Sequence, residues 1–365
     1  MGAPAWLEPL QALVENRLQA PDRTGFIGLI GDHPSAYARS PRIWMPALDA
    51  LGIDAAYVPL DVPAHRLAAV VGALRRADCL GANVTVPYKA AALPLLDEVD
   101  DAARAAGAVN TITRSRAGRL VGSNTDGLGL VDALLGDHGS GPLLRSLHGT
   151  IVLLIGAGGA GRAAAAALAP LLGAGELLVT NRHPDGARSI ADALSAQGCR
   201  SIAVAEGALE ALLPTVDLVM NASLRGQAGI RKGPDGWTTL EPYSAFAPAA
   251  PVVLPPMLEE EFFTTWSTRS AADIAANHAI SLSRVRRLPH HAVVYDMIYA
   301  PLETTTLRHA RDVGLRGANG RQMNIGQAAA AFVDYICREA LAAAGRDPAT
   351  ARAAVTRVMS DAWEG

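Results

Sequence analysis

The stretch Ile151-Val152-Leu153-Leu154-Ile155-Gly156-Ala157-Gly158-Gly159-Ala160-Gly161-Arg162 decides the fold. Its uninterrupted apolar opening fits a strand buried on both faces, as in a parallel sheet. The glycines fit a tight turn, and the alanine run from Ala163 to Ala169 continues as a helix. A second apolar run, Glu176 to Thr180, follows in the order that a dinucleotide-binding unit requires. In that reading Gly156 makes the sharp turn, Gly158 lets the backbone approach a pyrophosphate, and Gly161 lets helix and strand pack closely. The amides of Gly159 and Ala160 open the helix, where free N–H groups face phosphate. A hydropathy window over residues 151–179 also suggests a membrane span, but the glycines and Arg162 interrupt it, and no membrane association is expected.

Working outward, 365 residues with half of them hydrophobic suffice for two domains, each with its own core. A formal charge of -3 offers no basic surface for nucleic acid. Cys79, Cys199 and Cys337 are scattered, without metal or redox spacing, and read as buried thiols; no signal peptide precedes the fold, so a cytoplasmic enzyme is expected. Of the 32 basic residues only Lys89 and Lys232 are lysines. Arginine does not give up its proton in a protein, whereas lysine can be tuned to do so. Lys232 lies in a polar, turn-rich stretch, but Lys89 ends Asn83-Val84-Thr85-Val86-Pro87-Tyr88-Lys89, read as a strand end running into a helix start. Strand ends of open α/β sheets are where ligands bind, which makes Lys89 a candidate catalytic group.

Residues 4–19 have helical spacing and precede a strand at Phe26–Ile30, a helix to about Leu51, a strand near Ala55–Pro59, a helix from Ala64 to Arg76 and the strand into Asn83. This βαβαβ order predicts a parallel-sheet domain of its own. Two polar groups follow, Ala108-Val109-Asn110-Thr111 and Gly122-Ser123-Asn124-Thr125-Asp126-Gly127, in the second of which Asp126 fits either a functional carboxylate or an N-cap.

These motifs, with Asn181-Arg182, with Tyr295-Asp296-Met297-Ile298-Tyr299-Ala300-Pro301-Leu302-Glu303-Thr304 and with Asn319 through Gln327, resemble the shikimate dehydrogenase family over roughly residues 25–340. The resemblance implies an α/β chain of two domains: residues 1–127 with 323–365 forming a parallel-sheet substrate domain, and 128–322 a Rossmann-type nucleotide domain. It implies Lys89 and Asp126 as the catalytic pair, with Thr85, Asn110 and Gln327 on the substrate's ring hydroxyls and Tyr299 on the substrate side. Asn221, in an Asn221-Ala222-Ser223 turn, and Gly320 join the cofactor residues. The activity implied is reversible reduction of a ring ketone in an alicyclic hydroxy acid.

The chain departs from the family at three places. The carboxylate-binding stretch, usually His-Ser-x-Ser-Pro, reads Tyr37-Ala38-Arg39-Ser40-Pro41, leaving Ser40 as the retained donor. A quinate- or aminoshikimate-type substrate is therefore the alternative. At the end of the second nucleotide-domain strand, Arg182 suits the 2′-phosphate of NADP, with NAD as the alternative because Gly186 stands where a second basic residue is usual. Residues 228–290 form an insertion with proline-rich turns and a helix expected from Leu258 into Ser283, its apolar side carrying Phe262, Phe263 and Trp266. It reads equally as a lid or as an oligomer contact such as a homodimer's. Residues 345–365 read as an extra terminal helix. A function of another class, a non-catalytic dinucleotide or metabolite sensor, is opposed by the retained Lys89 and Asp126.

Overall fold

Strand β1 (Gly25–Gly31) is buried at every residue, which is why its sequence shows no polar alternation. In the computed structural model, which describes residues 4–19, 22–139, 141–233 and 235–364, β1 lies between β2 (Ala55–Asp61) and β3 (Cys79–Val84), parallel to both. The sheet continues through β4 (Glu98–Val99), β5 (Thr111–Arg114) and β6 (Leu120–Ser123) in the order β2-β1-β3-β5-β6-β4. Strand β5 runs antiparallel to both β3 and β6, so the sheet is mixed where sequence order suggested a purely parallel one. One face is covered by a core that includes Trp6, Leu10, Leu67 and Val71. The other carries the helices Ser40–Leu51, Arg321–Ala330 and Pro348–Glu364, with Trp44 between Tyr57 and Phe332.

The expected helix over residues 4–19 is reduced to Leu7–Gln11. Beyond it the chain serves the edge of the sheet: Glu15 N bonds Asp61 O at 2.9 Å, and the Asn16 amide bonds Pro59 O and Asp61 N. Backbone groups of edge strand β2 are thereby satisfied, which outweighs two more turns of an exposed helix.

The chain packs into two units, Met1–Leu130 with Met323–Gly365, and Val131–Gln322. In the second unit β7 (Ile151–Ile155), β8 (Glu176–Thr180), β9 (Ser201–Ala203) and β10 (Leu218–Asn221) are followed by a hairpin, β11 (Arg231–Gly233) and β12 (Gly236–Thr238), then by β13 (Val293–Asp296) and β14 (Arg316–Asn319). Apart from the hairpin these form one parallel sheet, β14-β13-β10-β7-β8-β9, the dinucleotide-binding arrangement read from the glycine-rich stretch. The helix of the insertion spans Glu259–Val285; Phe262 and Trp266 are buried, while Phe263 is exposed. Among the described residues no helix is long and apolar enough to cross a membrane.

Two buried titratable groups of this unit give it opposing pH dependences. Burial pushes the Asp296 carboxyl up to about 6, against the hydrogen bonds from Thr304, Ile298 and Asn221 that lower it. An unfolded carboxyl titrates near pH ~4, so this group's stabilising contribution is complete below that value and is lost as pH rises through about 6. Burial, with His278 and Arg308 nearby, pulls the His309 imidazole down to about 4. Its contribution is present above the unfolded value of ~6.5 and is lost as pH falls through about 4. Asp296→Asn is expected to leave the histidine's slope unopposed, so that the variant loses stability more steeply than wild type on acidification across this window. Urea melts at a series of pH values check this; parallel curves would show that Asp296 does not titrate there.

Candidate active site

The segment after β3 leaves the sheet in turns rather than in the expected helix. Thr85 N bonds Ile30 O at 2.8 Å, and the Lys89 carbonyl accepts from Val109 N at 2.8 Å instead of from a residue of its own next turn. The buried Tyr88 hydroxyl donates to Val62 O at 2.6 Å and pins the turn. Lys89 is therefore carried on a braced loop at the carboxyl end of β3.

There its ammonium meets Asp126 Oδ2 at 2.6 Å, with the lysine side chain 32% and the aspartate side chain 16% exposed. Asp126 opens the helix Asp126–Leu135, yet its carboxylate is turned to Lys89 and to the Asn110 amide, 2.8 Å from Oδ1, rather than to the helix's own amides. The carboxylate is therefore not an N-cap of this helix. Asn110, buried at the end of the turn before β5, also bonds Thr125 Oγ1 at 3.1 Å and Gln327 Oε1 at 3.4 Å, and its carbonyl accepts from Thr125 N at 2.9 Å. Four of the residues read from the sequence, Lys89, Asn110, Asp126 and Gln327, are joined in one hydrogen-bonded network. An ammonium has three donors, so with one on Asp126 others remain for a ring oxygen.

Ser40 and Thr85 lie outside that network. Ser40 starts the helix Ser40–Leu51 and hydrogen bonds the buried Tyr57 hydroxyl, which donates to Asn83 Oδ1 at 2.9 Å. The Asn83 side-chain amide in turn donates to the Asn110 backbone carbonyl at 3.2 Å, so Ser40 is linked to that network through Tyr57 and Asn83. Of the substituted carboxylate stretch, the Arg39 guanidinium lies 5.4 Å over the Trp363 ring, and the half-exposed Tyr37 reaches Val86 O at 3.4 Å. The nearby Ser35 hydroxyl is bound to the buried Asp61 carboxylate. Tyr299 belongs to the other unit, just beyond β13.

In that unit Gly156 has φ of 113°, and a Cβ on it would lie 2.8 Å from backbone atoms of Ala222 and Ser223. A side chain at Gly158 or Gly159 would instead meet nothing within 4 Å. The opening beside them is the start of a pocket of about 280 Å³ that also takes in Asn181, Arg182 and Glu206. No side chain caps the helix Gly159–Leu172, so its first amides face outward as a phosphate site requires. Arg182 is exposed and makes no hydrogen bond or ion pair among the described residues. The glycine cradle and the unengaged cation fit a phosphorylated dinucleotide.

Residues 29–112 match the family model described as the shikimate dehydrogenase substrate binding domain. Over 314 residues the chain is 36% identical to a shikimate dehydrogenase (NADP(+)) of Geobacter sp. (strain M21), covering 85% of this chain and 89% of that one. The chain belongs to the shikimate dehydrogenase family. Solved members resemble it throughout: a Thermus thermophilus shikimate 5-dehydrogenase in complex with NADP(H) and shikimate has a TM-score of 0.61 at 29% identity, over 92% of this chain and 99% of that one. A quinate dehydrogenase from Corynebacterium glutamicum in complex with NAD has a TM-score of 0.63 at 26% identity, over 90% and 98%. Membership makes the chain an NAD(P)-dependent oxidoreductase of two α/β domains, as the sequence motifs implied.

Within this shikimate dehydrogenase framework, Asn221 is fully buried and bonds only inside the protein. Its amide donates to Arg225 O and Asp296 Oδ1, and its carbonyl accepts from Ser223 N and Oγ. It shapes the turn that packs on Gly156, and its side chain is not presented to a ligand. Gly320 is likewise buried, at a point where a Cβ would come 2.1 Å from Met297 O.

Gly129, one helical turn beyond Asp126, carries no local sequence signal. A Cβ there would lie 2.4 Å from Met323 O and 2.6 Å from Gln327 N, so this glycine lets the two helices approach until Gln327 joins Asn110. Gly129→Ala is expected to cost about 2 kcal/mol of stability by overpacking. It should also raise the substrate KM, because Gln327 is pushed from its partners; an unchanged KM in a folded variant would separate Gln327 from substrate binding.

Proposed function

We propose that this protein catalyses the reversible NADP-dependent reduction of a ring ketone in an alicyclic hydroxy acid, of the 3-dehydroshikimate to shikimate type. The observation that carries the reading is the Lys89–Asp126 pair, 2.6 Å apart and braced by Asn110 and Gln327 at the end of the substrate-domain sheet. The dinucleotide, when bound, supplies or accepts the hydride. As the ketone oxygen becomes an alkoxide, Lys89 offsets the developing charge and passes a proton from Nζ to that oxygen; in the reverse direction it takes the proton back. Asp126 holds the ammonium in place, and Asn110, Gln327 and Thr85 orient the ring hydroxyls. Ser40 turns its hydroxyl proton from Tyr57 to the ring carboxylate when substrate binds, and Tyr299 acts from the substrate side. Gly158, Gly159 and Ala160 offer amides to the pyrophosphate, Asn181 supports that loop by accepting from Ala157 N at 3.3 Å, and Arg182 takes the 2′-phosphate.

A second substrate reading has a specific support. Ala38 stands where the family has a hydroxyl, Ser35 is engaged by Asp61, and Arg39 is turned to Trp363, so Ser40 is left as the serine donor of that stretch. Such a site fits a ring acid with altered substituents, of the quinate or amino-substituted kind. Oxidation of shikimate, quinate and an amino-substituted analogue, each with NADP and with NAD, decides between them. Highest kcat/KM for shikimate with NADP is expected; preference for another ring acid would make Tyr37–Ser40 the specificity determinant, and cofactor binding without turnover of any ring acid would favour a sensor.

A further inference from the structure

The insertion does not stand off from the nucleotide domain. Residues 243–247 are buried, and Phe246 joins the core beneath β7 and β10 with Ile155 and Val219. Two buried polar side chains of the helix Glu259–Val285 hold this loop by its backbone. The Asn277 carbonyl accepts from Ser244 N at 2.9 Å, and its amide donates to Ser244 O, Ala247 O and Pro248 O. Arg284 donates to Phe246 O at 2.7 Å and to Glu206 O at 3.0 Å, joining the loop to the segment after β9. Arg225, itself mostly buried, donates to Ala247 O and, at 2.9 Å, to Glu206 Oε1. So many bonds to a loop's carbonyls define a fixed position rather than a hinge.

What the loop presents from that position is a wall of the nucleotide pocket. Leu240, Pro248, Ala249 and Pro251 line it together with the Gly156–Gly158 turn and Glu206. The glycine turn accounts for phosphate and the Asn181–Arg182 corner for the ribose with its 2′-group. The remaining surface therefore faces the base attached to that ribose. It has the matching chemistry: leucine, proline and alanine for a flat apolar ring, and an acceptor-only carboxylate for an amino edge. Glu206 Oε2 takes no bond among the described residues.

We infer that the insertion is a built-in wall of the adenosine half of the cofactor site, held by Asn277 and Arg284 as positioning residues, with Glu206 reading the exocyclic amine of the base. The inference rests on the NADP reading above and takes it further: the apolar wall for the purine comes from a segment added within the nucleotide domain, and Glu206, outside that segment, selects its amine.

Calorimetric titration of the full chain with NADP, 2′,5′-ADP, nicotinamide mononucleotide and deamino-NADP, in which a carbonyl replaces the adenine amine, tests it. Wild type is expected to bind NADP about tenfold more tightly than deamino-NADP, the worth of one hydrogen bond to a charged group. Glu206→Gln should lose or reverse that preference, a change that a merely structural role would not produce. Ala249→Trp, at a partly exposed wall position, should weaken NADP and 2′,5′-ADP more than about tenfold by filling the base site, and leave nicotinamide mononucleotide unaffected. Asn277→Ala should weaken the same two ligands. If Ala249→Trp binds 2′,5′-ADP like wild type, or Glu206→Gln keeps the preference for the amine, the inference is wrong. If wild type binds neither NADP nor 2′,5′-ADP, the cofactor reading itself fails and the wall with it, so the two failures are distinguishable.

Discussion

Replacing Lys89 by methionine is expected to lower kcat about a thousandfold, within the span measured for removal of a general acid–base group. Methionine keeps most of the length and the apolar stem, so the loop braced by Val109 and Tyr88 should stay folded. What is lost is the proton and the positive charge beside the ketone oxygen. The Kd for NADP, for which Lys89 is not proposed as a ligand, should change less than about twofold. Asp126→Asn should act through the same step. It keeps an acceptor for Asn110 but no longer holds the ammonium by charge, so the double variant should be scarcely slower than Lys89→Met alone. Multiplying effects would mean that the two residues act separately. Steady-state kinetics on the two single variants and the double one decide the point.

Arg182→Ala is expected to weaken NADP binding on the order of a hundredfold and to leave NAD binding unchanged, since a charged hydrogen bond to a phosphate is lost in one case and nothing in the other. The geometry leaves Arg182 to carry this alone within its loop. Arg188, the next cation, is paired with Asp185. Gly186, where the family has a second basic residue, packs so closely that a Cβ would meet Asn181 Nδ2 at 3.1 Å and the Ala157 methyl at 3.2 Å. Titration of the variant with both cofactors measures the effect, and added salt should narrow the wild-type preference for NADP because the cation is exposed. Equal losses for NADP and NAD would place Arg182 elsewhere in the site.

Much of this was legible in the sequence because single residues carried unusual information. Lys89 stood out as one of two lysines in a chain that otherwise uses arginine, and the glycine-rich run marked the strand, turn and helix that open the nucleotide-binding sheet. Strands β8 and β13 fell where their apolar runs lie, and the insertion helix was visible from the length of the segment and its aromatic side. The mixed character of the first sheet was not. Strands β5 and β6 are four residues each, too short for alternation to register. The turn at Lys89 was hidden because a tertiary bond from Val109 competes with the local helical one. Tyr57, Asn83 and Thr125, which join Ser40 and Gln327 to the Lys89–Asp126 pair, come from distant segments, and no local pattern links them. Gly129 was invisible for a related reason: its need is set by the backbone of a helix nearly two hundred positions away, at Met323 and Gln327. The insertion was open to a lid or an interface from sequence, and only its buried Asn277 and Arg284 reveal which loop it holds.

The most direct measurement is a single turnover. Enzyme in excess is loaded with NADPH and mixed with 3-dehydroshikimate, and the nicotinamide absorbance is followed in wild type and in Lys89→Met, with ligand binding to both confirmed by titration. Rapid loss of NADPH in wild type, and its persistence in the variant despite bound ligands, is the expected result. Loss at the same rate in both would contradict the role of Lys89 as the proton donor, and no loss in the wild type would contradict the reduction itself.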